Sequence, residues 1–118
     1  MTGEDRIQSS IVTFIRSVAP TCVCFAVPNG GKRSMSTAKV LKATGTLAGV
    51  SDLVFIMPGR LLFAEIKTAT GRVSKEQRAF GMKVQDLGHL WAVWRSIDDV
   101  RHTFAAIGFS TREVGSVK

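Results

Sequence analysis

Two apolar runs, Leu53–Met57 and Leu61–Ile66, are separated only by Pro58-Gly59-Arg60, and this arrangement leaves the middle of the chain little choice. Each run is short and rich in Val, Ile, Leu and Phe, as strands are, and the Pro-Gly pair between them reads as a tight hairpin turn. Neither run alternates with polar residues, so helices are expected to cover both faces of the sheet. Against this background Asp52, Glu65 and Lys67 are charges at the edge of a buried sheet. Glu65 and Lys67 are two apart and share a strand face, roughly 6–7 Å from each other. A turn centred on Pro58-Gly59 sets Asp52 opposite Glu65, and one centred on Gly59-Arg60 sets it opposite Lys67. Both registers gather the three side chains on one face. An intermediate register would turn Asp52 away.

Two carboxylates a few ångströms apart repel each other and favour a divalent cation between them. A hard ion such as Mg²⁺ prefers oxygen ligands and keeps several waters. A neighbouring ammonium can orient one of those waters and balance charge on a phosphate. The trio therefore suffices for metal-assisted phosphodiester hydrolysis. The plain alternative is a Glu65–Lys67 ion pair on one face, with Asp52 as a turn residue.

Charge points to the partner. Sixteen Lys and Arg stand against nine acids in 118 residues, for a net charge of +7. No acid occurs between Arg6 and Ser51, a stretch that holds Arg16, Lys32, Arg33, Lys39 and Lys42. Such an imbalance is the footprint of a polyanion partner, most simply DNA or RNA. No basic amphipathic helix suggests an anionic membrane, and no apolar run nears the ~18–20 residues of a membrane span. The N-terminus has acids where a signal peptide carries basic residues, so a cytoplasmic protein is expected. Cys22 and Cys24, two apart in an extended run, suit neither a disulfide nor a zinc site and are read as reduced, packed thiols. The length suits one domain over residues 1–108, with 109–118 as a tail.

Along the chain, Ile7, Ile11, Phe14, Ile15 and Val18 recur at helical spacing, giving a helix over 4–18 that stops before Pro20. Glu4 stands on its first turn, near the buried stripe, where the helix dipole alone would favour an acid. Thr21–Val27 is a short β-type run. Pro28-Asn29-Gly30-Gly31-Lys32-Arg33 follows, as either a phosphate-contacting loop or a plain turn. Ser34–Ala43 suits a short helix with Lys39 and Lys42, and Gly45 and Gly49 read as a flexible connection. Ser74 with Gln77 forms a capping box for a helix that buries Phe80, Val84 and Leu87 and ends at Gly88. Arg72, Lys75 and Arg78 lie near its start. His89 opens the strand HLWAVW, in which Trp91 and Trp94 have opposite parity and cannot form one stacking platform. Lone histidines such as His89 and His102 are expected to be structural or exposed. Ser96 caps a last helix whose Val100, Phe104 and Ile107 face the core. This element order predicts an α/β (α+β layered) domain, a mixed central sheet flanked by helices.

The line GVSD, a hairpin, AEIK, then Gly71, Ser74 and Gln77 resembles the virus-type replication-repair nuclease domain, VRR-NUC, of the PD-(D/E)XK superfamily. The likeness takes in Glu4, Ile7-Gln8, Pro28-Asn29-Gly30-Gly31, Lys42-x-x-Gly45, Gly88 and Trp91–Trp94, most of residues 4–105. Ser51-Asp52 stands where that family has proline-aspartate. The resemblance implies a restriction-endonuclease-like fold and an endonuclease using Mg²⁺ or Mn²⁺. The metal ligands it implies are Asp52, Glu65, Glu4 (directly or through water) and the Ile66 backbone carbonyl. Lys67 and Gln77 are implied as catalytic partners, Lys67 on the attacking water and Gln77 in support. Stand-alone domains of this type are similar to junction resolvases that act as homodimers on branched DNA. Lys32, Arg33, Lys39, Lys42, Arg72 and Lys75 are the expected contacts to the DNA backbone. The rival expectations are a non-cleaving nucleic-acid-binding protein of the same fold and an accessory subunit of a larger assembly.

Overall fold

The computed structural model describes residues 1–28 and 34–112, so Lys32 and Arg33 lie outside the described residues. The described elements run α1 (Gly3–Val18), β1 (Val23–Ala26), α2 (Met35–Ala43), β2 (Leu53–Met57), β3 (Arg60–Ile66), α3 (Lys75–Asp86), β4 (Leu90–Trp94) and α4 (Ile97–Ala106). The strands form one sheet in the order β1-β2-β3-β4. The first three are antiparallel and β4 runs parallel to β3, so the sheet is mixed and the fold is α+β, as expected.

Local chemistry explains where the helices begin. In α1 the Thr2 hydroxyl accepts from the Asp5 N–H and the Asp5 carboxylate accepts from the Thr2 N–H, both at 3.0 Å. Ser34 and Ser96 cap α2 and α4 with the hydroxyl alone, which accepts from the Thr37 and Asp99 N–H. The expected capping box at the start of α3 is present, with the Ser74 N–H donating to Gln77 Oε1 at 2.8 Å.

Strand alternation sorts the sheet residues onto two faces. On one, Leu53, Phe55, Leu62, Ala64, Ile66 and Trp94 meet Ile11 and Ile15 of α1 and Val100 and Phe104 of α4. Phe104 lies 5.4 Å from Phe55 and meets Trp94 edge-on at 6.2 Å. Each such side chain contributes about 1.5–3 kcal/mol by leaving water. On the other face Phe63 packs edge-on against Phe80 of α3 at 5.4 Å. Trp91 lies directly under Gly81, where a Cβ would come within 2.4 Å of the indole. The two tryptophans thus serve opposite faces, as their parity predicts.

Helical cover is less complete than the apolar runs suggest. Beyond α3, Val23, Phe25 and Ile56 are 53%, 41% and 41% exposed on the outer part of the second face. Leu87, expected in the core, is the C-cap of α3 and 69% exposed. His89 is structural, its Nδ1 accepting from the Leu61 N–H at 3.1 Å, and His102 is exposed. Cys22 and Cys24 are unbridged, and burial pushes the Cys24 thiol up to about 11. No helix among the described residues is long and apolar enough to cross a membrane.

Candidate active site

The hairpin register decides the site. Met57 pairs with Arg60 and Leu53 with Ala64, so the turn is Pro58-Gly59 and Asp52 falls opposite Glu65, one step beyond the paired strand. Asp52, Glu65 and Lys67 therefore share the face that α3 covers. Asp52 is anchored at both ends: its carbonyl accepts from the Val27 N–H at 2.8 Å, and its Oδ2 accepts from the Ile66 N–H at 2.7 Å. Lys67 is tied to β4 by its N–H, which donates to the Trp94 carbonyl at 3.1 Å.

Glu65 is fully buried, which for a carboxylate requires compensation. Its Oε1 accepts from Gln77 Nε2 at 2.9 Å. Its Oε2 is buried and receives no hydrogen bond from the described residues. Burial pushes the Glu65 pKa up to about 8, and the Asp52 charge adds to the rise, as does the hydrogen bond a protonated Glu65 can give Asp52. The Lys67 charge and the Ser51 hydroxyl pull less strongly the other way. Without a cation, this is a carboxyl that holds its proton near neutrality.

Gln77 both caps α3 and reaches Glu65. Its Oε1 is committed to the Ser74 N–H, so its amide nitrogen is the end that faces Glu65. Helix capping thereby fixes the orientation of a site residue. A groove of about 260 Å³ opens here, bounded by residues 46–50, Asp52, Ser74 and Gln77.

A divalent cation fits this donor set. The orphaned Glu65 Oε2 beside a second carboxylate is the kind of buried acceptor a hard cation satisfies, and such an ion needs only one or two protein carboxylates. Among the described residues no three His, Cys, Asp or Glu side chains gather around one point. Glu4 is thus not a third member of the carboxylate cluster. It is exposed on the first turn of α1, beside Gly3, where a Cβ would touch the Thr68 methyl at 3.4 Å. The Ile66 N–H is taken by Asp52, and a strand residue's carbonyl points to the same neighbour as its N–H.

The predicted phosphate contacts are exposed where described. Arg72 and Lys75 flank Ser74 at the groove, and Lys39 and Lys42 lie on α2, which buries no residue of its own. Among the described residues the one ion pair is Arg101–Asp98 at 2.8 Å, so these four cations are not neutralised internally.

Three residues escaped the sequence reading. Ser51 is fully buried and acts on Glu65, so the residue before Asp52 is not chemically silent. Gly49 is a packing position rather than a flexible link: at φ +82° its backbone lies so close to α3 that a Cβ would meet the Glu76 carbonyl oxygen at 2.3 Å. The Gly-Val-Ser-Asp spelling hints at this glycine without revealing what it touches. Arg95 donates from Nη1 to the Thr68 and Gly71 carbonyls at 2.6 and 2.7 Å, across 27 and 24 residues, and no local pattern announces it.

No protein-family model matches the chain, and no curated protein matches it. Among solved structures it resembles one described as a VRR_NUC domain protein, with a TM-score of 0.64 over 86% of this chain and 84% of that one, at 18% identity. The chain therefore has the VRR-NUC fold, and its chemistry must be argued from its own residues.

Proposed function

We propose that this chain is a divalent-metal-dependent nuclease that hydrolyses DNA phosphodiester bonds, preferring branched DNA. The observation that carries the proposal is the buried Glu65 carboxylate, with one oxygen unpartnered and Asp52 beside it, in a fold shared with a VRR_NUC domain protein. Asp52 and Glu65 would hold Mg²⁺ or Mn²⁺ with the Ile66 carbonyl, and Glu4 would act through a bridging water. The ion, when bound, supplies Lewis acidity toward the phosphate and lowers the pKa of bound water. Gln77 keeps Glu65 in one rotamer. Lys67 orients the attacking water and offsets charge developing on the pentavalent phosphate. Arg72, Lys75, Lys39 and Lys42 bind phosphates of the flanking backbone, joined by Lys32 and Arg33. Contacts of that kind position DNA without reading sequence, which favours recognition by structure. We further propose that the protein acts as a homodimer in the cytoplasm, since one small domain offers little surface to a junction.

The second reading is a nucleic-acid-binding protein of the same fold that does not cut, and the exposed, unpaired cations would serve it equally. Labelled four-way junction, flap and linear duplex, incubated with Mg²⁺ or Mn²⁺ and with EDTA, separate the two. Metal-dependent cutting that vanishes in Asp52→Ala and Lys67→Ala is the expected result. Junction binding without cutting under either metal would favour the binding protein.

A further inference from the structure

The cluster around Arg95 lies at the end of β4, the strand beside the one that carries Glu65, and touches neither carboxylate. It begins at the end of β4, where the Arg95 N–H donates to Asp99 Oδ2 at 2.8 Å and the Asp99 N–H donates to the Ser96 hydroxyl at 3.2 Å, fixing the start of α4. From this anchor the guanidinium reaches across to the segment that follows β3. A single nitrogen, Nη1, carries two hydrogens and meets two carbonyls, those of Thr68 and Gly71. The Ala69 carbonyl lies farther off at 3.5 Å.

Those carbonyls belong to one turn. The Gly71 N–H donates to the Thr68 carbonyl at 3.1 Å, closing a turn over residues 68–71. Lys67 enters this turn and Arg72 leaves it. The side-chain stem of Lys67 lies over the turn, because a Cβ added at Gly71 would touch its Cδ at 3.5 Å. Held charge-assisted bonds to backbone carbonyls, in a half-buried setting, are stronger than neutral ones and fix geometry.

We infer that Arg95 is a positioning residue for Lys67: by clamping the 68–71 turn, it fixes the platform along which the Lys67 ammonium is aimed at the scissile phosphate. The inference rests on the nuclease reading above. Arg95 touches neither carboxylate, so its loss leaves metal binding intact and acts on the reaction through Lys67. A displacement of about 1 Å in a catalytic group costs on the order of 100-fold in rate.

The test uses the full chain and four Arg95 and Lys67 variants: Arg95→Ala, Arg95→Lys, Lys67→Ala and the double variant Lys67→Ala/Arg95→Ala. Single-turnover cleavage of the preferred DNA is measured at saturating enzyme, with Kd for the same DNA measured in Ca²⁺. Arg95→Ala is expected to cut about 10- to 100-fold more slowly with Kd within about twofold of wild type. Arg95→Lys, which keeps a cation able to reach a carbonyl, should recover part of the rate. Arg95→Ala should add nothing to Lys67→Ala, as expected for residues that act as one unit. Amide hydrogen exchange at Gly71 should quicken in Arg95→Ala while that of the β2–β3 ladder stays unchanged. A normal rate in Arg95→Ala, a loss that appears in Kd alone, or additivity with Lys67→Ala would overturn the inference and leave the nuclease reading standing. A wild-type chain that cuts nothing would overturn both.

Discussion

The two faces of the sheet solve opposite problems. The face under α1 and α4 is sealed by apolar side chains, with Leu53, Leu62, Ala64 and Trp94 fully buried and no carboxylate among them. The face under α3 buries Glu65 as completely as the other face buries Leu62, yet leaves its Oε2 without a hydrogen bond from the described residues and sets a second carboxylate beside it. The first arrangement lowers the free energy of the folded chain. The second raises it, by holding a charge-bearing group away from water with an incomplete set of partners. Stability and the proposed chemistry are thus divided between two sides of the same strands, and alternation along β3 assigns Ala64 and Ile66 to one side and Glu65 and Lys67 to the other.

Substitutions on the two faces should therefore fail in different ways. The largest effect is expected from Asp52→Ala or Lys67→Ala, which should reduce cleavage by on the order of 10³-fold while leaving the melting temperature near that of wild type. Gel-based kinetics beside a thermal melt would show it, and a parallel loss of fold would blur the division of labour. Trp94→Ala should do the reverse, removing about 3–5 kcal/mol of stability in a denaturant titration through the cavity it leaves between β4 and α4. Gly81→Ala attacks the α3 face by packing instead of charge. Its Cβ would meet the Trp91 ring, so α3 must shift at a cost of about 1–3 kcal/mol, and Gln77 should shift with it.

Smaller in size but sharper in logic is the response to pH. The folded pKa of Glu65 is raised from 4.5 to about 8, so the folded chain holds a proton that the unfolded chain has released across that window. The contribution of this group to stability is full below about 4.5 and is lost as pH rises through about 8. Melts of the EDTA-treated protein should accordingly decline over that range. Glu65→Gln should flatten the decline and match or exceed wild-type stability at pH 8, because a neutral amide keeps the acceptor for Gln77 and has no charge to desolvate. A wild-type melt that strengthens steadily from pH 5 to pH 8 would contradict this.

Much of this division was legible in the amino-acid sequence. The period of two along β3 places Glu65 with Lys67, and turns centred on Pro58-Gly59 or on Gly59-Arg60 both bring Asp52 to them, whereas an intermediate register turns it away. Capping chemistry located the start of α3 at Ser74 and brought Gln77 one turn before Phe80. What stayed hidden were relations between distant parts of the chain. An apolar run cannot say which helix covers it, so the exposure of Phe25 and Ile56 came as a correction, as did Leu87 at the end of α3. Glu4 was placed near the buried stripe by helical spacing, which fixes a direction around α1 but not the distance from its first turn to the carboxylates. The approach of Gly49 to Glu76 and the reach of Arg95 to the 68–71 turn depend on how elements pack, and no local pattern carries that information.

Whether Asp52 and Glu65 form a divalent-metal centre is tested, without DNA, by calorimetric titration of Mn²⁺ into the metal-free protein. Near pH 7 the wild-type chain should bind Mn²⁺ with release of a proton from Glu65, seen as a heat that depends on the buffer's ionisation enthalpy. The release should fade by pH 9, and Glu65→Gln should lose the binding. Absence of binding, or binding that Glu65→Gln leaves unchanged, would contradict the metal centre and with it the proposed chemistry of this face.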